Sequence, residues 1–284
     1  MNNFQKNKLI DLSFKILGML FTFLGILILA ILIYNIVKVG YTRINWNFLT
    51  SLPSRKPENA GIYTAIIGTL DLMLLTVLFA IPVGVGAGIY LEEYAKKSRL
   101  SSLLEINISN LAGVPSIIYG LLGLGIFVRF FNFGGSILSG SLTLSLLILP
   151  IIIVATREAI KAVPHSLKEA SFALGASKWQ TIKDVVLPSS FGGILTGIIL
   201  SLSRAIGETA PLIVVGAMAY VPFVPQSIFD TFSVLPMQIF NWTTRPQQGF
   251  AIAASGAIIV LLLITFIMNG IAVYFRNRWQ KKLQ

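Results

Sequence analysis

Apolar residues run along this 284-residue chain in six long, nearly uninterrupted stretches. They cover roughly Phe14 to Val37, Ile62 to Tyr90, Leu103 to Phe127, Ile137 to Thr156, Phe191 to Tyr220 and Phe250 to Phe275. Each reaches the ~20 residues that a helix needs to cross the hydrocarbon layer, where only helices and closed barrels satisfy their own backbone. The pattern predicts an all-α polytopic membrane protein with six transmembrane helices. The first stretch is too long for a signal-peptide core and lacks a small-residue cleavage site, so it is expected to be retained. Tyr41 to Ala60 and Val221 to Gly249, with their several prolines, read as loops, with Trp46, Phe240 and Trp242 expected at the membrane interface. Pro82, Pro115, Pro150 and Pro211 lie at or inside spans and read as kinks filled by neighbours. Gly84, Gly86 and Gly88 read as a close-packing patch, and Glu92 and Glu93 after them as the start of a solvated loop.

Charge orients the spans. Only 12% of residues are charged, against roughly a quarter in soluble domains, so the position of each cation carries information. Lys6, Lys8 and Lys15, then Lys96, Lys97 and Arg99, then Arg157, Lys161, Lys168, Lys178 and Lys183, then Arg276, Arg278, Lys281 and Lys282 fall on one side. Lys38, Arg43, Arg55, Lys56, Arg129 and Arg245 fall on the other. The richer side is cytoplasmic, which places both termini there and the chain in the cell (inner) membrane as a multi-pass protein. The net charge of +11 is thereby explained by topology, and no nucleic-acid partner is expected. Arg129 reads as an interfacial anchor. Arg204 is left over, inside a span.

The residue inventory excludes several chemistries. With no cysteine and one histidine, His165, disulfides, thiolate zinc and multi-histidine metal centres are ruled out within the chain. His165 is expected to face solvent. The GxxxxGK[ST] nucleotide cradle is missing; LGASKW at Leu174 to Trp179 has neither its spacing nor its strand. A GxSxG nucleophile or a carboxylate pair with a histidine is missing too. The chain is therefore not expected to be an enzyme or to bind a cofactor, and any energy it uses must come from another subunit.

Two segments invite function. The longest cytoplasmic connection, 157–188, reads REAIKAVPHSLKEASFALGASKWQTIKDVVLP. Leu167, Ala170 or Ser171, and Leu174 recur at helical spacing, Gly175 breaks the run, and Trp179, Ile182, Val185 and Val186 resume it. Helix, glycine turn, helix fits either an amphipathic hairpin on the lipid surface or a knob for a soluble partner. In the fifth stretch, Ser189, Gly193, Gly197, Ser201, Ala205 and Thr209 form a ridge of small residues suited to close helix packing. Beside it Arg204 and Glu208 stand four apart. An arginine near the bilayer centre costs roughly 3 kcal/mol on insertion scales, so it is expected to face protein or a water-lined path. Its paired N–H donors suit phosphate or carboxylate oxygens, with Glu208 orienting it or accepting an oxyanion's proton. A static ion pair that pins the helix is the other reading. If Asp71 shares the site and all three groups ionise, the charge is net negative, which requires a protonated acid or an arginine from a partner.

Glu169-Ala170-Ser171, then Gly175, then Val185-Val186-Leu187-Pro188 resembles the EAA loop of ABC-importer permeases, with Ser171 and Val185 as departures. SRAIGETAPL at 203–212, with AIIGTLDLMLLTVLFAIPVGVGAGIYLEEYA, LAGVPSIIYGLLGLG and FSVLPMQIFNWTTRPQ, resembles the phosphate-importer branch of that family, PstA type, from about Gly61 to Arg278. The resemblance implies a type I ABC-importer permease fold, with residues 1–60 as an added helix and extracytoplasmic loop and 61–284 as the permease core. It implies a heterodimer with a PstC-like permease, a PstB-like ATPase homodimer that uses ATP and Mg, and a PstS-like phosphate-binding protein outside. It places ATPase docking on Glu169, Ala170, Ser171, Leu174 and Gly175, and phosphate translocation on Arg204 and Glu208. A permease for another oxyanion, such as molybdate or sulfate, is the nearest rival; an intramembrane enzyme and an autonomous channel are others.

Overall fold

The computed structural model describes residues 3–96 and 98–283, which contain helices and no strand. Lys97, one of the expected cytoplasmic cations, lies outside the described residues, as do the side chains of Lys6, Lys281 and Lys282. In chain order the helices are α1 (Asn3–Gly40), α2 (Trp46–Thr50), α3 (Tyr63–Ile89), α4 (Arg99–Leu111), α5 (Ser116–Gly123) and α6 (Ile137–Lys161). There follow α7 (His165–Ala173), α8 (Lys178–Thr181), α9 (Leu187–Ala205), α10 (Ala210–Val215), α11 (Leu235–Thr243) and α12 (Gln248–Leu283). π-helical turns prolong α3 over Tyr90–Tyr94 and α5 over Leu124–Phe130, and join α8 to α9 over Ile182–Val186.

Among the described residues, five helical stretches are long and apolar enough to cross a membrane: Asp11–Arg43, Tyr63–Tyr94, Ile137–Lys161, Lys178–Ala205 and Gln248–Arg278. The expected third span is different, because α4 and α5 meet at a bend of 105°. Pro115 lacks an N–H and turns the residue before it away from helical geometry. The bend closes with Gly113 N–H donating to Asn110 O at 3.0 Å and Val114 N–H to Leu111 O at 3.1 Å. The expected fifth span is also corrected. Its helix stops at Ala205 and extends instead toward the cytoplasm, to Lys178. Pro115 and Pro211 therefore mark breaks, whereas Pro82 and Pro150 sit inside continuous helices as expected.

Helix α6 is the centre, packed between α3 and α9. A Cβ on Gly84 would lie 2.7 Å from Ile152 Cγ2, and one on Gly88 2.7 Å from Thr156 Cβ, so only glycine permits this approach of α3; Gly86 faces open space. On the other flank, Gly193 meets Ala159 and Gly197 meets Ala155, with Ser201 and Ala205 buried. The middle of the expected small-residue ridge is this seam, whereas Ser189 is exposed and Thr209 lies beyond the end of α9.

The loops at the opposite end are structured. Trp242 is 1% exposed and packs its ring between Phe48 and Phe250, 6.1 Å from each. It is thus a core residue, contrary to the expected interfacial role, because α2 and α11 close over the start of α12. Trp46 is exposed as expected. Arg43 Nη2 donates to Pro57 O, Glu58 O and Ala60 O at 2.8, 2.7 and 3.0 Å, which pins 41–60 in place. Helix α1 buries none of its apolar span and touches the rest through α12, with Gly40 against Ser255.

Candidate functional site

Arg204 occupies the last turn of α9, about 24 Å along the axis from Pro188 at about 1.5 Å per residue, at the far end of the apolar stretch Lys178–Ala205. After Ala205 the hydrogen bonds tighten: Gly207 N–H donates to Arg204 O and Glu208 N–H to Ala205 O, each at 3.2 Å. Glu208 therefore lies in a turn rather than one helical turn above Arg204 on a common ridge, because the helix ends ahead of Pro211. Its side chain reaches back nonetheless. Arg204 Nε donates to Glu208 Oε1 at 3.3 Å, with the two side chains 44% and 17% exposed. Arg204 Nη1 and Nη2 have no hydrogen-bond partner among the described residues.

Surrounding elements hold this break. Ala205 and Ile206 pack into the same apolar cluster as Tyr119 of α5, whose Oη donates to Leu111 O at 2.8 Å across the α4–α5 bend. A Cβ on Gly120 would lie 2.7 Å from Pro211 Cα, so the two broken segments lean on one another. Ser203 Oγ donates to Asn269 Oδ1 of α12 at 2.8 Å. Helix α10 ends at Gly216, whose φ of +113° favours glycine. The result is a turn with one guanidinium, one carboxylate and two free donors, a group matched to an oxyanion. Asp71 does not join it. It lines a cleft of about 310 Å³ with Leu75, Ile137 and the loop residues Gln226 and Ser227, and neither Arg204 nor Glu208 lines that cleft. The local excess of negative charge that three shared acid and base groups would create is therefore not built.

The cytoplasmic segment folds as helix, turn, helix. Glu169 and Ala170 are exposed on α7. Ser171 is half-buried, its Oγ 2.9 Å from Thr181 Oγ1 of α8. Leu174 is 90% exposed at the tip. Gly175 turns the chain with φ +83°, a conformation most side chains resist. Ser177 then caps α8 in a reciprocal box with Gln180. Leu167, Phe172 and Trp179 are exposed near Leu174, and His165 is exposed as expected.

The reading of Glu92 and Glu93 as a solvated start of a loop is overturned. Both lie in the π-helical turn at the end of α3 and are largely covered. Glu92 pairs with Arg157 at 3.3 Å, Arg157 with Glu105 at 2.9 Å, and Glu93 with Lys168 at 2.5 Å. Lys178 Nζ sits over the Tyr94 ring, 4.8 Å from its centre. These partners are 65 and 75 residues away in the chain for Glu92 and Glu93, so no local spacing reveals them; two acids at the cation-rich side of the membrane are the one sequence signal.

Residues 80–281 match the family described as binding-protein-dependent transport system inner membrane component. The chain is 31% identical over 278 residues to the probable ABC transporter permease protein YqgI of Bacillus subtilis, covering 94% of each. It is 33% identical to the phosphate transport system permease protein PstA of Yersinia pestis, over 94% of this chain and 89% of that one. It is likewise 33% identical to PstA 1 of Mycobacterium tuberculosis, over 86% and 81%. Among solved structures, a subunit of a bacterial alginate ABC transporter superposes with a TM-score of 0.69 at 15% identity over 95% of this chain and 96% of that one. One from the MetNI methionine ABC transporter gives 0.62 at 16% identity, over 77% and 97%. The fold is that of the type I ABC-importer permeases.

Proposed function

The chain belongs to the family of binding-protein-dependent transport system inner membrane components, and we propose that it is the PstA-type permease subunit of an ATP-driven importer of inorganic phosphate. Relatives named for phosphate transport cover most of its length and support that reading. One observation carries the cargo chemistry: Arg204, held on Nε by Glu208, keeps Nη1 and Nη2 open at the end of an apolar span. A guanidinium so held offers a bidentate pair of donors to an oxyanion. Glu208 accepts a hydrogen bond from a protonated phosphate oxygen, which sulfate lacks at neutral pH.

The chain has no motor of its own in this reading. A PstC-like permease completes the path, a PstB-like homodimer consumes ATP with Mg, and a PstS-like binding protein delivers phosphate from outside. The knob of Glu169, Ala170, Ser171, Leu174 and Gly175 docks the ATP-binding subunit, and nucleotide-driven closure there moves the helices into alternating access. The deciding measurement is ATP hydrolysis by the reconstituted four-component complex. Phosphate is expected to stimulate it and sulfate is not; equal stimulation by both, or none by phosphate, overturns the assignment.

A further inference from the structure

The loop 157–188 is joined by its backbone to α6 and α9 alone. A push on α7 therefore reaches α3, the helix most closely packed on α6 at its glycine seam, only through non-covalent contacts. The π-helical turn Tyr90–Tyr94 supplies them. Glu93 pairs with Lys168 of α7 at 2.5 Å, the two side chains 12% and 14% exposed. Glu92, next in the chain, pairs with Arg157 at the end of α6, which also holds Glu105 of α4. Beneath them Ile89 packs against Ile160, Val163 and Val186, where α3, α6 and α9 converge.

We infer that this turn is a transmission clasp in which Glu93 and Lys168 act as positioning residues, tying the coupling knob to α3 so that the two move as one body. The inference rests on the reading of α7 and α8 as the ATPase-docking knob. A covered ion pair resists separation because parting the two charges leaves each unpaired and desolvated. π-turns recur at functional sites, and this one aims two adjacent carboxylates at two different cytoplasmic elements. An ordinary surface pair would be open to water and easily screened; this one is not.

The test uses the complex of both permeases and the ATP-binding subunit in proteoliposomes, supplied with binding protein. E93Q and K168M are expected to retain the ATP-binding subunit at wild-type stoichiometry. Phosphate moved per ATP falls about tenfold, a size typical of coupling between two sites. The reversed pair E93K/K168E is expected to recover at least about half of the wild-type ratio, which assigns the effect to the ion pair, and its appearance in the ratio at unchanged subunit retention is what a merely structural pair does not produce. Single variants that match the wild-type ratio, or a reversed pair no better than the singles, overturn the clasp. Failure of the docking reading shows separately, as a wild-type permease that does not retain the ATP-binding subunit, and that also removes the clasp. If the wild type retains it but moves no phosphate, the cargo assignment fails alone. The clasp is then read from a nitroxide on Leu78→Cys in α3 of this cysteine-free chain. Its ATP-dependent spectral change should be at least halved by E93Q, and an undiminished change overturns it.

Discussion

Replacing Arg204 by glutamine is expected to stop uptake without dismantling the complex, and the geometry sizes the two effects separately. In transport, Nη1 and Nη2 are the open donors. A hydrogen bond to a charged group is worth about 1.5–3 kcal/mol. Glutamine keeps one uncharged donor on a shorter stem, so a loss of about 2–4 kcal/mol follows, or roughly 30- to 1,000-fold in uptake efficiency. In stability, the pair is longer than ideal at 3.3 Å and its arginine side chain is 44% exposed, so water screens it and its loss costs about 1 kcal/mol or less. Arg204→Lys keeps the charge but not the planar fork and should stay well below wild type. The assay is labelled-phosphate uptake over a range of concentrations, with gel filtration and thermal unfolding of the same preparations. Uptake within threefold of wild type in the glutamine variant, or a lysine variant of full activity, would refute the bidentate role. A fall in uptake that only tracks a fall in assembled complex would show the pair to be a pin.

Two further perturbations separate the knob from the scaffold. Leu174→Asp places a charge at the most exposed apolar tip of the loop; co-purification of the ATP-binding subunit should drop about tenfold while the permease melts at its usual temperature, and undiminished co-purification would remove Leu174 from the interface. Trp242→Ala empties a core site between Phe48 and Phe250, at a cost of about 3–5 kcal/mol. The melting point should fall by several degrees in detergent, and an unchanged melt would return Trp242 to the membrane surface.

Legibility differed between residues for definite reasons. Arg204 stands out in the sequence because a cation in an apolar run is costly wherever the chain folds, and its partner four residues on is within reach in a helix or in a turn. Gly193 and Gly197 are legible because a row of small residues has one efficient use in lipid. Trp242 and Phe48 were hidden, since an aromatic residue near a span end serves the interface or a core equally well. Glu93 was hidden because Lys168 lies 75 residues away, with the bent α4–α5 segment and α6 between them.

The long apolar helices, the helix-turn-helix at Gly175 and the missing nucleotide cradle are legible in the chain alone, because hydrophobic transfer and glycine geometry act locally. Which prolines break a helix is settled by packing in three dimensions. Pro82 and Pro150 stay inside helices, whereas Pro115 and Pro211 stand where α5 and α10 restart after a break, and those segments meet where Gly120 admits Pro211. Every proline lacks an N–H, which forfeits a helical hydrogen bond inside α3 and α6 but none at the first turn of α5 or α10, and which of the two situations arises depends on the surface that packs beside it.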